Sequence, residues 1–426
     1  MVITGVRCIE ILDSRGFPTL KTFIKLDNGA VGSASIPSGA STGIHEAHEL
    51  RDEDSKRYQG KGVLKAKYAV ENEIAPLIIG KDPNNQQQLD GAMIALDGTK
   101  NKSRLGANAI LSASLAVAKA TSVGQKKELY EYLASFFETT SYVLPVPLIN
   151  VINGGKHASK SSDFQEYMII PYGFTRFSEA LRAAAEIFQV LKKKVSALGH
   201  STTVGDEGGF ALPFKTNEEP LQLLMEAIEE SSYVAGQEIA LGIDAAASVF
   251  YENDEYRFAT NQTNYTTEKL SEYYAELVAK YPLVSLEDPF AEDDWDGFTH
   301  LTAKVGATIQ IIGDDLYATN KDRLRQGIEK KASNSILVKL NQIGTLSETI
   351  DVIQQAKMND MTVVISHRSG ETEDAFIADL VVASGAGQIK TGSMSRSERM
   401  AKYNRLLEIE HLEKTSTFAS FPFKKE

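Results

Sequence analysis

Ile239-Ala240-Leu241-Gly242-Ile243-Asp244 is the first of six short apolar runs in the second half of the chain that finish on charge. The others are Leu283-Val284-Ser285-Leu286-Glu287-Asp288, Ile309-Gln310-Ile311-Ile312-Gly313-Asp314-Asp315, Ser335-Ile336-Leu337-Val338-Lys339, Val363-Val364-Ile365-Ser366-His367-Arg368 and Gln388-Ile389-Lys390. Helix-like stretches separate them, and strand alternating with helix calls for a parallel sheet in which the six strands run the same way. Their charged ends then gather at one edge. Isolated charge at the end of a buried strand costs free energy unless something there uses it, so three carboxylates beside two lysines point to a cation site coupled to chemistry.

Working outward, 148–152 and 164–170 read as two further strands, followed by helices over 177–198 and 217–235. Eight strands are the number that closes a (β/α) barrel. The rival, an open doubly wound sheet, normally carries a Gly-rich phosphate loop after its first strand, and none is present here. Upstream, strands over 2–12, 20–26 and 30–36 precede helices over 63–79, 84–96 and 107–120, an α+β pattern. The polar stretch Glu138-Thr139-Thr140-Ser141 ahead of Pro145 and Pro147 sets the expected domains at 1–138 and 139–426.

A length of 426 residues, 42% hydrophobic and 24% charged, is ordinary for a two-domain enzyme with a substantial core. The net charge of -12 argues against a general nucleic-acid binder. The single cysteine, Cys8, can form neither an internal disulfide nor a thiolate metal site and reads as a buried strand residue. With no basic leader and no apolar stretch of the ~18 residues a membrane span needs, a cytoplasmic location is expected.

Asp244, Glu287 and Asp314 are hard oxygen ligands, suited to Mg²⁺ and poor for zinc. Lys339 lies in an apolar context. Burial and neighbouring cations would lower its pKa and make it a general base, while pairing with the carboxylates is an equal alternative. Lys390, Arg368 and Ser369 offer donors for a phosphate or carboxylate. Gln165-Glu166 is expected to end a strand, Gly205-Asp206-Glu207-Gly208-Gly209 is a permissive loop, and Pro37-Ser38-Gly39-Ala40-Ser41-Thr42-Gly43 suits a lid.

Over nearly its whole length the chain resembles enolase, 2-phospho-D-glycerate hydro-lyase. The resemblance rests on that lid sequence, Asn153-Gly154-Gly155-Lys156-His157-Ala158, Gln165-Glu166-Tyr167-Met168, the 205–209 loop, Glu287-Asp288-Pro289-Phe290, Gly313-Asp314-Asp315-Leu316, Asn341-Gln342-Ile343-Gly344-Thr345, Ser366-His367-Arg368-Ser369-Gly370-Glu371, and Lys390-Thr391-Gly392 with Arg396-Ser397-Glu398-Arg399. It implies an eight-stranded barrel of ββαα(βα)6 type behind a smaller α+β domain, and reversible dehydration of 2-phosphoglycerate to phosphoenolpyruvate. Two Mg²⁺ per site are implied, the first on Asp244, Glu287 and Asp314, the second substrate-dependent and held partly by Ser41. Lys339 would take the C2 proton, and Glu207 would help the C3 hydroxyl leave, with Glu166 in its proton network. Arg368, Ser369 and Lys390 would hold phosphate and carboxylate, with His157 and Gln165 closing the pocket and His367 lining it.

The resemblance also implies a homodimer or a higher homo-oligomer such as an octamer of dimers, and a secondary surface or secreted role with a ligand such as plasminogen. Lys156 and the Ser159-Lys160-Ser161-Ser162 stretch depart from the family pattern, as does Val249, which stands where the family has Glu. So do Lys21 and Glu408, which stand where the family has Glu and Arg paired across its dimer. Both signs are reversed, which suggests the same bridge with swapped charge.

Overall fold

The computed structural model describes residues 1–39, 43–158 and 161–423. Ser41 and the Lys424-Lys425 pair lie outside them. The first domain is a three-stranded antiparallel meander, Ile3–Leu12, Pro18–Leu26 and Val31–Ser35, backed by helices. The helix Ala107–Gly124 is buried along nearly its whole length and crosses the last strand closely. A Cβ on Gly32 would lie 2.0 Å from the Ala120 nitrogen, so only glycine fits that crossing. The helix expected over 63–79 forms, but its middle turn, Val70–Ile74, is π-helical and ends just before Pro76. A proline without N–H cannot complete the i to i−4 ladder, and a wider turn absorbs the loss.

The second domain is a closed barrel. Its strands Val146–Asn153, Glu166–Pro171, Ile239–Asp244, Leu283–Glu287, Gln310–Gly313, Ser335–Val338, Thr362–Ser366 and Gly387–Lys390 pair in that order, and the last returns to the first. The six charged-ended strands are mutually parallel, as their alternation with helices requires. The strand Glu166–Pro171 is antiparallel to both neighbours. No crossover helix separates it from the preceding strand, and a short connection can only double back. Two helices then follow, Phe177–Ala197 and Glu219–Glu230, the second shorter than expected because the chain turns at Ser232 with φ +64°. Phe177, Leu181, Ala184, Phe188, Leu191 and Val195 line the inner face of the first of these. Each large apolar side chain so buried contributes about 1.5–3 kcal/mol.

The domains meet over the C-terminal rim of the barrel. Ser38 and Gly370 exchange backbone hydrogen bonds of 2.7 and 2.9 Å, and the Ala47 N–H donates to the Gln342 carbonyl at 2.8 Å. Lys119 pairs with Asp374 at 2.6 Å, and the Ser35 N–H donates to the same carboxylate at 2.9 Å. Ser38 and Ala47 are thereby pinned to barrel loops. Cys8 is buried beneath the Thr22 hydroxyl, and burial pushes its thiol up to about 11, the unreactive state expected of it. No helix among the described residues is long and apolar enough to cross a membrane.

Candidate active site

Strand register builds the centre of the site. Glu166 lies opposite Asp244 in one ladder, and Asp244 lies opposite Glu287 in the next, so three carboxylates stand side by side on adjacent strands. Glu166 begins its strand rather than ending it. Because that strand alone runs backwards, its first residue reaches the rim that the other strands reach with their last.

Three like charges in a buried row require a counter-charge, and Lys390 provides it. Its Nζ lies 2.8 Å from Glu287 Oε2, 3.0 Å from Asp244 Oδ2 and 3.1 Å from Glu166 Oε2. Burial works against the ammonium, but Asp244, Glu166 and Glu287 together hold its pKa well above the usual lysine value. One positive charge cannot balance three negative ones. Burial first, and then the Asp244 carboxylate, push Glu287 well above the usual carboxylate range.

Asp314 follows the next strand. It accepts hydrogen bonds from Lys339 Nζ and, at 2.9 Å, from Gln342 Nε2. The turn behind it is braced by Asp288, which adopts a strained φ of +40° while its carboxylate accepts the N–H groups of Asp314 and Asp315 at 2.9 and 2.8 Å. The expected depression of the Lys339 pKa is not found. Burial is the largest single influence and presses it down, but the nearby carboxylates, Asp314 foremost and then Glu287, together hold the amine above its ordinary value.

On the opposite side, Glu207 accepts from Asn150 Nδ2 at 3.1 Å. His367 Nε2 and His157 Nδ1 stand 3.7 and 3.9 Å from its Oε2, and His157 Nδ1 is also 3.9 Å from Glu166. Arg399, fully buried, donates to His367 Nδ1 at 2.6 Å and to the carbonyls of Arg368 and Ser369 at 2.8 Å. An arginine can only donate, so His367 Nδ1 is the acceptor and its remaining proton sits on Nε2, facing Glu207. Burial, chiefly, keeps the ring neutral. Burial also drives Glu166 well up, whereas His157, His367 and Arg399 outweigh burial at Glu207 and bring it well down. Of the two carboxylates, Glu166 is thus the one whose protonated form is favoured.

Arg368 forms a two-pronged pair with Glu46 of the first domain, at 2.8 and 3.2 Å, and donates to Asn341 at 3.2 Å. Most of these groups line one cavity of about 210 Å³, together with Gln165, Ser369 and Lys156, while Asn150, Asn341, Gln342 and Arg399 brace it from behind. Every expected site residue among the described ones thus converges there except Glu287, which lies beneath the floor and reaches the site through Lys390. Sequence reasoning missed Glu46, Asn150 and Arg399. Arg399 stood inside a quoted motif, but nothing local reveals that its side chain reaches a histidine 32 positions away.

The donors suit a hard divalent cation. They are carboxylate oxygens without thiolate, and Glu287 Oε1 is buried with no hydrogen-bond partner. An anionic oxygen left without a donor is costly, and a cation relieves that cost. Among the described residues two groups present ligand atoms within 4.8 Å of one another, Asp288 with Asp314 and Asp315, and His157 with Glu166 and Glu207, and neither is the expected ligand trio. Asp244 and Glu287 are instead drawn onto Lys390.

Two family models match the chain. Residues 3–133 match the enolase N-terminal domain, and residues 141–426 match the enolase C-terminal TIM barrel domain.

Proposed function

We propose, from the premise that this chain belongs to the enolase family and is an enolase-type lyase, that it catalyses the reversible dehydration of 2-phosphoglycerate to phosphoenolpyruvate. The observation that carries this reading is the shared lining of one small cavity. A lysine, the Glu166 and Glu207 carboxyl pair, hard metal donors and the cations Arg368 and Lys390 face the same space of about 210 Å³. That space suits a three-carbon substrate, and the two cations favour one bearing both phosphate and carboxylate over a neutral sugar acid.

The C2 proton of such a substrate is weakly acidic, because removing it places a second negative charge beside an ionised carboxylate. Mg²⁺, held by Asp244, Glu287 and Asp314 with a second ion partly on Ser41, would supply charge neutralisation there. Lys390 adds a fixed positive charge at the same place. Lys339 takes the C2 proton at Nζ, and its tie to Asp314 has to loosen for the amine to be free. Glu207 delivers a proton to the departing C3 hydroxyl, supplied by Glu166 beside it. His157, at 3.9 Å from both, has to move in by roughly 1 Å to reach hydrogen-bond distance, and that closure excludes water. Arg368 and Ser369 hold the phosphate, and Gln165 and His367 complete the walls.

The test is the ultraviolet absorbance of the enol product, followed with 2-phosphoglycerate in the presence and absence of Mg²⁺. Metal-dependent turnover is expected, and a folded protein without it would overturn the reading. Self-association as a homodimer or a larger multiple belongs to the same proposal. Light scattering on the full chain reads it, and an active monomer would remove that part alone.

A further inference from the structure

We infer that Lys156 is a positioning residue which draws the anionic substrate through the mouth of the cavity, an inference that rests on the reading just given. Among the described residues lining that cavity, only Lys156 and Val249 are exposed. They therefore stand at its mouth. Among the described residues, the lining carries eight carboxylates against four lysine and arginine side chains.

Three of those four cations are already engaged. Lys339 is on Asp314, Arg368 is on Glu46, and Lys390 is shared by three carboxylates. Lys156 has no ion-pair partner among the described residues, and it directly precedes His157, the ring that has to close on the carboxylate pair. Among the described lining residues it is the one lysine or arginine without an ion-pair partner, in a chain of net charge -12. Val249, 40% exposed, adds an apolar surface that brings no competing carboxylate to the mouth.

A single charge at the entrance of a low-dielectric cleft raises the local concentration of its counter-ion, and salt screens the effect over a Debye length of about 8 Å at physiological ionic strength. Lys156 thus acts on capture and seating of the substrate and not on the proton transfers beneath.

The experiment is steady-state kinetics of the full chain with 2-phosphoglycerate and saturating Mg²⁺ across a series of KCl concentrations. For Lys156→Gln the expected result is a fall in kcat/KM of about three- to tenfold at low salt, carried mainly by KM, with a flatter dependence on salt. Lys156→Arg restores both quantities. Val249→Glu reproduces the loss by placing a carboxylate at the same mouth while leaving the lysine intact. A Lys156→Gln enzyme with unchanged KM and unchanged salt slope would overturn the inference, as would a loss confined to kcat. Absence of turnover in the wild-type protein would instead remove the reading beneath it, so the two failures are distinguishable.

Discussion

At the barrel end, Glu166, Asp244 and Glu287 are placed by strand ladders that leave each opposite its neighbour. Across the cavity, Gly43 and Glu46 belong to a segment without helix or strand, and hydrogen bonds to the barrel loops hold it. The first region fixes charge by backbone register, with two lysines as internal counter-ions. The second fixes it by side-chain contacts such as Glu46 to Arg368, both side chains 4% exposed. A ladder cannot be displaced by a ligand, whereas a side-chain pair can. Chemistry is therefore assigned to the barrel end, and substrate capture and closure to the face above it.

The largest effect expected on the rigid side comes from removing its base. Lys339→Ala should lower kcat by about 10³–10⁴-fold with the circular dichroism spectrum unchanged. A loss of tenfold or less would move the base elsewhere. Glu287→Ala should cost the metal-free protein little, because Lys390 keeps Asp244 and Glu166 as partners and one buried like charge is removed. It should abolish the rise in Tm expected of the wild type on adding Mg²⁺, which differential scanning calorimetry reads directly. Retention of that rise would place the metal on the Asp288, Asp314 and Asp315 cluster instead.

Between the regions, Lys119 and Asp374 form a half-buried strut. Burial pushes Asp374 up, but Lys119 and the N–H groups of Ser35 and Phe376 outweigh it and leave the carboxyl below its usual value. A depressed acid contributes stability that is complete above the unfolded-state pKa and is lost as pH falls through the folded one. Asp374→Ala should therefore cost about 3–5 kcal/mol at pH 7 in urea unfolding, with the deficit shrinking below about pH 4. A deficit independent of pH would show that the strut stabilises by packing and not by charge. The smallest effect belongs to the displaceable side. Glu46→Gln weakens the hold on Arg368 and should change KM for the phosphorylated substrate by about three- to tenfold while altering kcat less. A pure kcat effect would place Glu46 in the chemistry itself.

Much of this division was legible in the sequence. Apolar runs ending on charge gave the barrel and most of the rim, because strand period and strand ends are local properties. The reversed strand was harder, since Gln165-Glu166 reads the same whether it opens or closes a strand. The Glu46–Arg368 and Arg399–His367 contacts, 322 and 32 positions apart, are products of tertiary packing with no local signature. For Lys339 the sequence leaves a lowered pKa and a pairing with the carboxylates equally open, and only the packed geometry, with Nζ on Asp314, decides for the pairing.

The central claim is that Lys339 removes a proton from C2 of a phosphorylated carboxylate. Exchange of the C2 hydrogen of 2-phosphoglycerate in D₂O, followed by proton NMR with Mg²⁺ present, tests it most directly. The wild-type protein should wash that hydrogen out, while Lys339→Ala should leave it in place and still bind the substrate. Exchange that persists in Lys339→Ala, or that never occurs in a folded, metal-loaded wild type, would contradict it.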